Sequence, residues 1–403
     1  MTLSEELKWR GFVNQTTYKD LTILDGEPIS FYWGVDPSAN SMTIGNFAAA
    51  MMVRHFIDHG HKAVLLVGGA TGLIGDPDGK KQERDLKELD VISENIEGIS
   101  GQYKKVFAGK PFEIVNNYDW FKDIGYMNFL RNIGKHLSLT QLLDREFVQS
   151  RIGEGGSGIS YAEFSYSLIQ GYDFLHLFRE KGVTLQVCGA DQWGNSLAGV
   201  EMIRKLESAE AHVYSTPLVI NKATGVKFGK SEGGAVWLDE TQTSVYKFYQ
   251  FWLNADDKGV IDYMKIYTML SRDEIERLES EARTNPGARE AQKALAYEVT
   301  KLVHGEARAV QARNVTAALF GDTPFTQLLD EELDMLALEI PVTTSGNLIN
   351  ALVTSDAVAS NGEARRLIAG GAISINGEKV SEDVELQVPS LIKKGKNSFI
   401  LVR

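Results

Sequence analysis

The chain has 403 residues, of which 43% are hydrophobic and 24% are charged, and this composition excludes a wholly disordered protein. Its 42 Lys and Arg residues against 54 Asp and Glu residues give a net charge of −12, which excludes a uniformly basic surface but leaves room for a local basic patch. At roughly 100–200 residues per domain, the length predicts about two or three domains.

The location in the cell is predicted from features that the sequence lacks. Cys188 is the only cysteine, so no disulfide can form within the chain. The first residues lack the apolar core of a signal peptide, and no apolar run reaches the roughly 18–20 residues that span a bilayer. The sequence therefore predicts a cytoplasmic enzyme or binding protein that does not associate with a membrane.

The first half of the chain alternates strand and helix patterns. Short apolar runs predict strands at residues 29–35, 63–67, 112–115 and 185–187. The Ala- and Met-rich segment between the first two runs predicts a helix that ends near Gly60. Each predicted strand is followed by a loop rich in Gly, Asp or Asn. This alternation predicts an α/β fold with an open parallel sheet, in which ligands bind at the carboxyl ends of the strands.

The second half has a different pattern. Residues 241 to about 330 carry apolar side chains at spacings of three and four, which predicts helices, and residues 330–346 have the composition of a linker. Two short helices, at 347–353 and 361–369, and a hairpin at 372–380 are predicted beyond it. Residues 341–403 have seven basic and six acidic side chains, whereas the preceding part is strongly acidic, so the tail is predicted to be a separate module.

Two glycine-containing segments follow the first two predicted strands. Residues 36–46, DPSANSMTIGN, run from a strand into a helix, where small residues and the helix N-terminus favour a phosphate; the alternative is an ordinary turn. Residues 68–84 combine many glycines with Asp76 and with Lys80, Lys81 and Arg84, which indicates a flexible loop near an anion. The alternative for this second segment is a solvated basic turn.

Two later segments carry further polar groups. Tyr166, Gln170 and Asp173 lie four and three residues apart, so they share one face of a helix. Such a face can bind the polar groups of an amino acid, or it can be a mixed face at a subunit contact. Lys227 and Lys230 lie on either side of a glycine in KFGKS, where they can clamp phosphates as mobile charges, although exposed Lys-Gly loops are common.

In their order and spacing, these segments resemble the class I aminoacyl-tRNA synthetases, and specifically the bacterial-type tyrosyl-tRNA synthetase family. The resemblance covers nearly the whole chain from about Phe31. Residues 43–46 correspond to the HIGH motif of that family and residues 227–231 to its KMSKS loop. YSLIQGYDF and GADQWGN resemble its amino-acid-binding helix and nucleotide loop, and GEARRLIAGGAISINGEKV resembles an S4-type RNA-binding domain.

The resemblance implies a domain organisation and a reaction. Residues 1–225 would form a Rossmann-like parallel-sheet catalytic domain. Residues 226–330 would form the KMSKS-type loop and an α-helical domain that faces the anticodon stem. Residues 331–345 would be a linker, and residues 346–403 would form a small α+β S4-type domain. The enzyme would activate L-tyrosine with ATP to tyrosyl-adenylate and pyrophosphate, and then transfer tyrosine to the 3′ end of tRNA(Tyr). It would be a homodimer whose interface lies within residues 120–180.

The resemblance also assigns roles to individual residues. For tyrosine these are Tyr32 and Asp173 at the hydroxyl, Asp76, Tyr166 and Gln170 at the ammonium, and Asn117 and Gln192 lining the pocket. For ATP they are Gly34, Asp36, Ser38, Gly45, Asp191, Lys230 and Ser231. The catalytic groups would be Thr43, Asn46, Lys80, Arg84, Lys227 and Lys230, and the RNA-binding groups Arg365, Arg366 and Lys379. Mg²⁺ would accompany ATP, with no dedicated metal site and no tightly bound cofactor, and positioning and positive charge would replace a protein nucleophile.

Four residues depart from the family pattern. Thr43 and Asn46 stand where histidines are frequent, and a threonine hydroxyl can still donate to a phosphate oxygen. Trp33 stands where a small residue near the ribose is usual, so it is expected to reshape that subsite. Cys188 stands where glycine is common.

Two other functions remain open from the residues alone. One is a catalytically silent homologue that binds RNA through its tail, which would show no tyrosine-dependent exchange of pyrophosphate into ATP. The other is a tryptophanyl-type relative, which would not need Tyr32 and Asp173 for activity.

Overall fold

The computed structural model describes residues 1–77, 87–143, 146–153, 155–231, 234–344 and 346–403. They form two compact units, one of residues 1–243 and 255–291 and the other of residues 244–254 and 292–403. The described strands, numbered in chain order, are β1 Gln15–Thr16, β2 Ser30–Val35, β3 Lys62–Val67, β4 Phe112–Asn116, β5 Leu185–Gly189, β6 His212–Thr216, β7 Lys230–Ser231, β8 Gly234–Ala235, β9 Val342–Thr343, β10 Ile373–Ile375, β11 Glu378–Lys379, β12 Ser390–Lys394 and β13 Ser398–Val402.

The helices are numbered in the same way. Those of the first half are α1 Leu3–Arg10, α2 Ile44–Asp58, α3 Gly69–Ile74, α4 Leu89–Val106, α5 Tyr118–Phe121, α6 Tyr126–Asn132, α7 Leu139–Leu143, α8 Glu146–Ile152, α9 Tyr161–Lys181 and α10 Trp193–Leu206. The later ones are α11 Val245–Leu253, α12 Val260–Tyr267, α13 Arg272–Thr284, α14 Glu290–His304, α15 Glu306–Phe320, α16 Asp330–Ala337, α17 Leu348–Thr354 and α18 Asn361–Ala369. Within the described ranges, none of these helices has the length and apolar character needed to cross a bilayer.

The first unit contains a six-stranded sheet with the order β1-β6-β5-β2-β3-β4. β1 is antiparallel to β6, and the other five strands are parallel. From β2 the chain moves outward to β3 and β4, and then it returns to the other side of β2 for β5 and β6. The strand order therefore reverses between β2 and β5, and the carboxyl ends of these two strands form the kind of crevice in which α/β proteins bind ligands. The predicted α/β fold is confirmed.

The strands of this sheet are nearly continuous apolar runs because helices cover both faces. On one face, Tyr32 and Leu66 of the sheet pack with Phe174 and Leu177 of α9 and Met202 of α10. This core fixes α9 over the carboxyl ends of β2 and β3, so the side chains of the helix can reach the crevice.

Helix α9 has strong signals at both ends. The Ser160 hydroxyl accepts a hydrogen bond from the Glu163 backbone N–H at 3.2 Å, and Gly182 ends the helix in the left-handed region with φ of 63°. Glu163 also accepts two hydrogen bonds from the Arg151 guanidinium, both at 2.9 Å, in a buried pair. The start of the helix is thus fixed in place three residues before its first functional side chain, Tyr166.

Residues 68–84 differ in part from the predicted loop. Gly69–Ile74 form helix α3 immediately after β3. The glycines serve close packing there, since a Cβ on Gly72 would lie 2.9 Å from the Pro37 ring, and the Asn117 side chain accepts a hydrogen bond from the Ala70 backbone N–H at 2.6 Å. The basic side chains of this segment, Lys80, Lys81 and Arg84, lie outside the described residues.

The second unit combines helices with a five-stranded sheet of order β11-β10-β12-β13-β9. Helices α17 and α18 pack on this sheet through buried apolar side chains, among them Leu352, Ile368 and Ile400. The turn between β10 and β11 has positive φ at Asn376 and Gly377, 50° and 93°, as a two-residue hairpin requires. The two short helices and the hairpin predicted for the tail are confirmed.

The segment that the sequence predicts as a linker contains regular structure. α16 buries Leu333 and Leu336, and β9 pairs in parallel with β13. Its acidic and Thr-containing composition gave no local signal for either element, because both depend on partners distant in sequence. The domain bounds at 225, 330 and 345 remain a proposal.

The buried Arg151–Glu163 pair provides a test of what anchors α9. Arg151→Met leaves the Glu163 carboxylate buried without its cation, and we expect the free energy of unfolding to fall by about 3–5 kcal/mol. Urea titration followed by circular dichroism measures this change. The exposed Arg272–Glu276 pair on α13 is the matched control, and Arg272→Met should cost at most about 1 kcal/mol. Equal losses in the two variants would contradict the prediction.

Candidate functional site

Two cavities lie beside the carboxyl ends of the parallel strands and share part of their lining. The first has a volume of about 210 Å³ and is lined mainly by β2, α9, β5 and the loops that follow the strands. The second, of about 130 Å³, is lined by the first turns of α2, the loop after β6 and residues 227–228. Asn46 and Asp191 line both cavities. A ligand that occupies both would therefore pass these two side chains.

The inner end of the first cavity combines a carboxyl with an unpartnered hydroxyl. Asp173 is 2% exposed and accepts hydrogen bonds from Asn117 Nδ2 at 3.0 Å and from Trp120 Nε1 at 2.9 Å. Burial raises the pKa of the Asp173 carboxyl to about 8, although these two hydrogen bonds lower it. The Tyr32 hydroxyl is buried and has no hydrogen-bond partner, and burial raises its pKa well above the usual range.

A hydrogen-bonded group around Asp36 forms one wall. Its carboxylate accepts hydrogen bonds from the Tyr166 hydroxyl at 2.7 Å and from the Thr71 hydroxyl at 2.6 Å. Gly68 lets this carboxylate approach, because a Cβ there would lie 2.3 Å from Asp36 Oδ1. Tyr166 thus gives its only hydroxyl hydrogen to Asp36, and its oxygen can still accept a hydrogen bond from a cation in the cavity.

Amide side chains complete the lining of the first cavity. Gln192 Nε2 donates to Asp76 Oδ2 at 2.5 Å. The Oε1 atoms of Gln170 and Gln186 are buried and have no hydrogen-bond partner. Buried polar atoms are normally paired, so these two acceptors, like the Tyr32 hydroxyl, indicate a ligand with several hydrogen-bond donors.

The loop after β6 meets the start of α2 beside the second cavity. The Ile44 backbone N–H donates to the Val236 carbonyl at 3.0 Å, and Thr43 forms a β-bridge with Trp237. Between the two lysines of the loop, Gly229 has φ of 104°, a conformation that favours glycine, and a Cβ there would lie 3.5 Å from the Gly45 backbone nitrogen. The exposed ammonium of Lys227 lies 3.8 Å from the Asp191 carboxylate.

The structure brings most of the predicted site residues together. Those that line the first cavity are Tyr32, Gly34, Asp36, Ser38, Asn46, Asp76, Tyr166, Gln170, Asp173, Asp191 and Gln192. Thr43, Gly45 and Lys227 line the second cavity. Asn117 lies behind Asp173 and is 0% exposed. Lys230 and Ser231 are described in their backbone alone, as strand β7.

The remaining predicted residues lie elsewhere. Lys80 and Arg84 are outside the described residues. Arg365 and Arg366 are exposed on α18, and Lys379 is exposed on β11, in the second unit.

Two departures from the family pattern have different surroundings. Trp33 packs on Tyr103 and Phe107, with ring centroids 5.4 and 6.4 Å away, on the opposite face of β2 from Tyr32. Its indole ring therefore fills the core beneath α4 instead of reshaping a ribose subsite. Cys188 lines the first cavity, and burial raises the pKa of its thiol to about 12.

Three residues that contact site residues or line the first cavity were not predicted from the sequence. Thr71 and Trp120 donate to the carboxylates of Asp36 and Asp173, and Gln186 lines the first cavity beside Tyr32, its register partner on β2. Alternation along β5 is a signal that could have identified Gln186, because it is the polar residue in an otherwise apolar strand. Thr71 and Trp120 depend on helices α3 and α5, whose positions the sequence did not predict.

Comparisons with known proteins found similar sequences and structures among tyrosine–tRNA ligases. Residues 24–321 match the family model described as tRNA synthetases class I (W and Y), and residues 327–403 match that of the tyrosine–tRNA ligase SYY-like C-terminal domain. The chain is 45% identical to a tyrosine–tRNA ligase of Bacillus caldotenax and 43% identical to tyrosine–tRNA ligase 2 of Bacillus cereus, over 100% of every chain compared. A solved structure, the C-terminally truncated mitochondrial tyrosyl-tRNA synthetase of Aspergillus nidulans, is similar with a TM-score of 0.70 and 30% identity, over 77% of this chain and 92% of that one.

The buried Asp173 carboxyl makes stability depend on pH. Its pKa of about 8 lies above the value of roughly 3.9 for an unfolded Asp, so between these values the unfolded chain releases a proton that the folded chain keeps. Asp173 therefore lowers the free energy of unfolding as the pH rises through this window, and its contribution is constant above about pH 8. We expect Asp173→Asn to gain stability relative to the parent between about pH 5 and pH 8 in urea titrations.

The matched control for this experiment is Asp123→Asn, which removes an exposed carboxylate. Asp123→Asn removes no buried carboxyl, so it should not reproduce the gain in stability that we expect for Asp173→Asn. A stability difference between Asp173→Asn and the parent that stays constant with pH would contradict the prediction.

Proposed function

The chain belongs to the family of class I tRNA synthetases for tryptophan and tyrosine, and we propose that it is a tyrosine–tRNA ligase whose two cavities bind tyrosine and ATP. It is a ligase that uses ATP as a substrate. The observation that carries the choice of tyrosine is the buried, unpartnered Tyr32 hydroxyl beside Asp173.

The phenolic hydroxyl of tyrosine matches this pair. It can donate to the Asp173 carboxyl and accept from the Tyr32 hydroxyl, which satisfies both buried groups. Phenylalanine would leave the Tyr32 hydroxyl without a partner and would take one hydrogen bond from Asp173, and an unsatisfied buried polar group costs about 1–3 kcal/mol. Substrate binding in this mode also favours the ionised form of Asp173, because its oxygens then accept a third hydrogen bond.

The other polar groups of the first cavity suit the amino group of the substrate. Asp76 supplies a carboxylate, Gln170 an unpartnered amide oxygen and Tyr166 a hydroxyl oxygen whose hydrogen is already given to Asp36. All three can accept hydrogen bonds from an ammonium. We propose that Asn117 and Gln192 support this set, since Asn117 donates to Asp173 and Gln192 donates to Asp76.

ATP would extend from the first cavity into the second. We assign Asp36, Asp191, Ser38 and the backbone at Gly34 and Gly45 to the nucleotide, and Ser231 to the loop beside it. The tyrosine carboxylate attacks the α-phosphorus, and pyrophosphate leaves. Lys80, Arg84, Lys227 and Lys230 would stabilise the departing charge together with Mg²⁺ that enters bound to ATP. In the second step a ribose hydroxyl at the 3′ end of tRNA(Tyr) attacks the tyrosyl carbonyl, and AMP leaves.

We also propose that the C-terminal part binds tRNA. The match of residues 327–403 to a C-terminal domain of tyrosine–tRNA ligases supports this, as do the exposed cations of α18 and β11, Arg365, Arg366 and Lys379. We propose that residues 346–403 form an S4-type domain and that the domains are bounded at residues 225, 330 and 345.

A homodimer in the cytoplasm completes the proposal. Exposed apolar side chains within the expected interface support a second copy, since Tyr126 is 62%, Met127 74% and Tyr161 61% exposed. Single exposed apolar residues are common, but several within the region predicted to form the interface support an interface there.

The first test is amino-acid-dependent exchange of pyrophosphate into ATP, measured with each of the twenty amino acids. We expect exchange with tyrosine and none with tryptophan. Tyr32→Phe should lower kcat/KM for tyrosine by about tenfold or more and reduce discrimination against phenylalanine, because the partner of the substrate hydroxyl is lost. The absence of exchange at saturating tyrosine would refute the function and favour the silent RNA-binding homologue.

A second test separates activation from tRNA charging. Removal of the residues beyond 345 should leave tyrosine-dependent exchange within about twofold of the full chain and lower the rate of tRNA(Tyr) charging by about tenfold or more, as expected when several phosphate contacts are lost. Arg365→Ala with Arg366→Ala in the full chain should give the same split. Loss of exchange in the double variant would show that the tail supports catalysis.

A further inference from the structure

The first turn of α2 holds two polar side chains in contact with each other. The Thr43 backbone N–H lies 3.0 Å from Asn46 Oδ1, and Thr43 Oγ1 lies 2.9 Å from the same atom. A backbone N–H can only donate, so the atom that faces it must be the oxygen of the amide. This contact fixes the orientation of the Asn46 amide, and its Nδ2 group points away from Thr43.

The hydroxyl hydrogen of Thr43 is already engaged in a hydrogen bond to Asn46 Oδ1. A threonine hydroxyl has one hydrogen and an amide oxygen has none, so Thr43 supplies the hydrogen of the 2.9 Å contact. Only lone pairs remain on Oγ1, and lone pairs repel phosphate oxygens. In this arrangement Thr43 cannot donate to ATP, which is the role that its position in the motif suggested.

Asn46 is placed differently. It lines both cavities with Asp191, whereas Thr43 borders the second. The Asn46 amide therefore lies where a nucleotide passes from one cavity into the other, and its oxygen is occupied by Thr43. The donors on Nδ2 are the part of this side chain that can serve a ligand.

We propose that Thr43 is a positioning residue, which orients the Asn46 amide so that Nδ2 donates to the nucleotide. The inference rests on the proposed function, since it concerns the ATP of that reaction. The backbone of Thr43 is held by its β-bridge to Trp237, and the next residue, Ile44, donates to the Val236 carbonyl. The pair is thus arranged before the nucleotide arrives, and binding does not have to order it.

The test is a double-mutant cycle on the rate of tyrosyl-adenylate formation in single-turnover experiments. Thr43→Val keeps the branched shape and removes the hydroxyl, and we expect the rate to fall about tenfold, as for one lost hydrogen bond. Thr43→Ser keeps the hydroxyl and should stay within about twofold of the parent. In an Asn46→Ala background, Thr43→Val should change the rate by less than about twofold, because it has no amide left to orient.

A matched control is available on α13. There the backbone N–H and the hydroxyl of Ser271 both donate to Glu274 Oε2, at 2.8 and 2.7 Å, in the same arrangement at a helix start. Ser271→Ala removes a cap of the same kind from a helix that lines neither cavity, and it should leave the adenylation rate unchanged. A fall as large as that of Thr43→Val would mean that loss of a cap by itself lowers the rate, and it would overturn the inference.

Two further outcomes are decisive. An equal tenfold loss from Thr43→Val in both backgrounds would mean that Thr43 acts on ATP independently of Asn46, and it would overturn the inference. Failure of Thr43→Ser to retain the parent rate would do the same. A parent chain with no tyrosine-dependent exchange would instead refute the proposed function, so the two failures can be told apart.

Discussion

The site depends on the reversal of strand order between β2 and β5. Side chains at the carboxyl ends of neighbouring parallel strands normally have connecting segments packed over them, but at a reversal the two connections leave in opposite directions and a crevice opens. Tyr32 and Gln186, register partners on these strands, both line that crevice. α9 crosses above it and adds its polar face, so three elements far apart in sequence contribute to one cavity.

Burial gives the polar groups of this cavity their chemical character. Asp173 is 2% exposed, and this burial makes its carboxyl difficult to ionise in the absence of a ligand. The same burial leaves the Tyr32 hydroxyl without water as a partner. A ligand that supplies a hydroxyl at this position satisfies both groups, and this explains how a buried site can select for one polar atom.

Charge has to be considered at the scale of single loops and not of the whole chain. The net charge of −12 excludes a uniformly basic surface but not a local basic site, and the loop with Lys227 lies against the start of α2. Gly229 makes this close approach possible through its positive φ. A few cations held by backbone geometry beside a helix N-terminus can serve a phosphate even in an acidic protein.

The sequence by itself determined the parallel α/β class, four of the five parallel strands (β2 to β5), the small helices and hairpin of the tail, and the common face of Tyr166, Gln170 and Asp173. These features rest on local signals, namely apolar runs, turn residues and helical spacing. Tertiary structure alone decided that Trp33 fills the core beneath α4 and that residues 331–345 contain a helix and a strand. It also decided that the Thr43 hydroxyl donates its hydrogen bond to the Asn46 side chain. Each of these depends on which atoms meet in space, and a pattern along one chain does not contain that information.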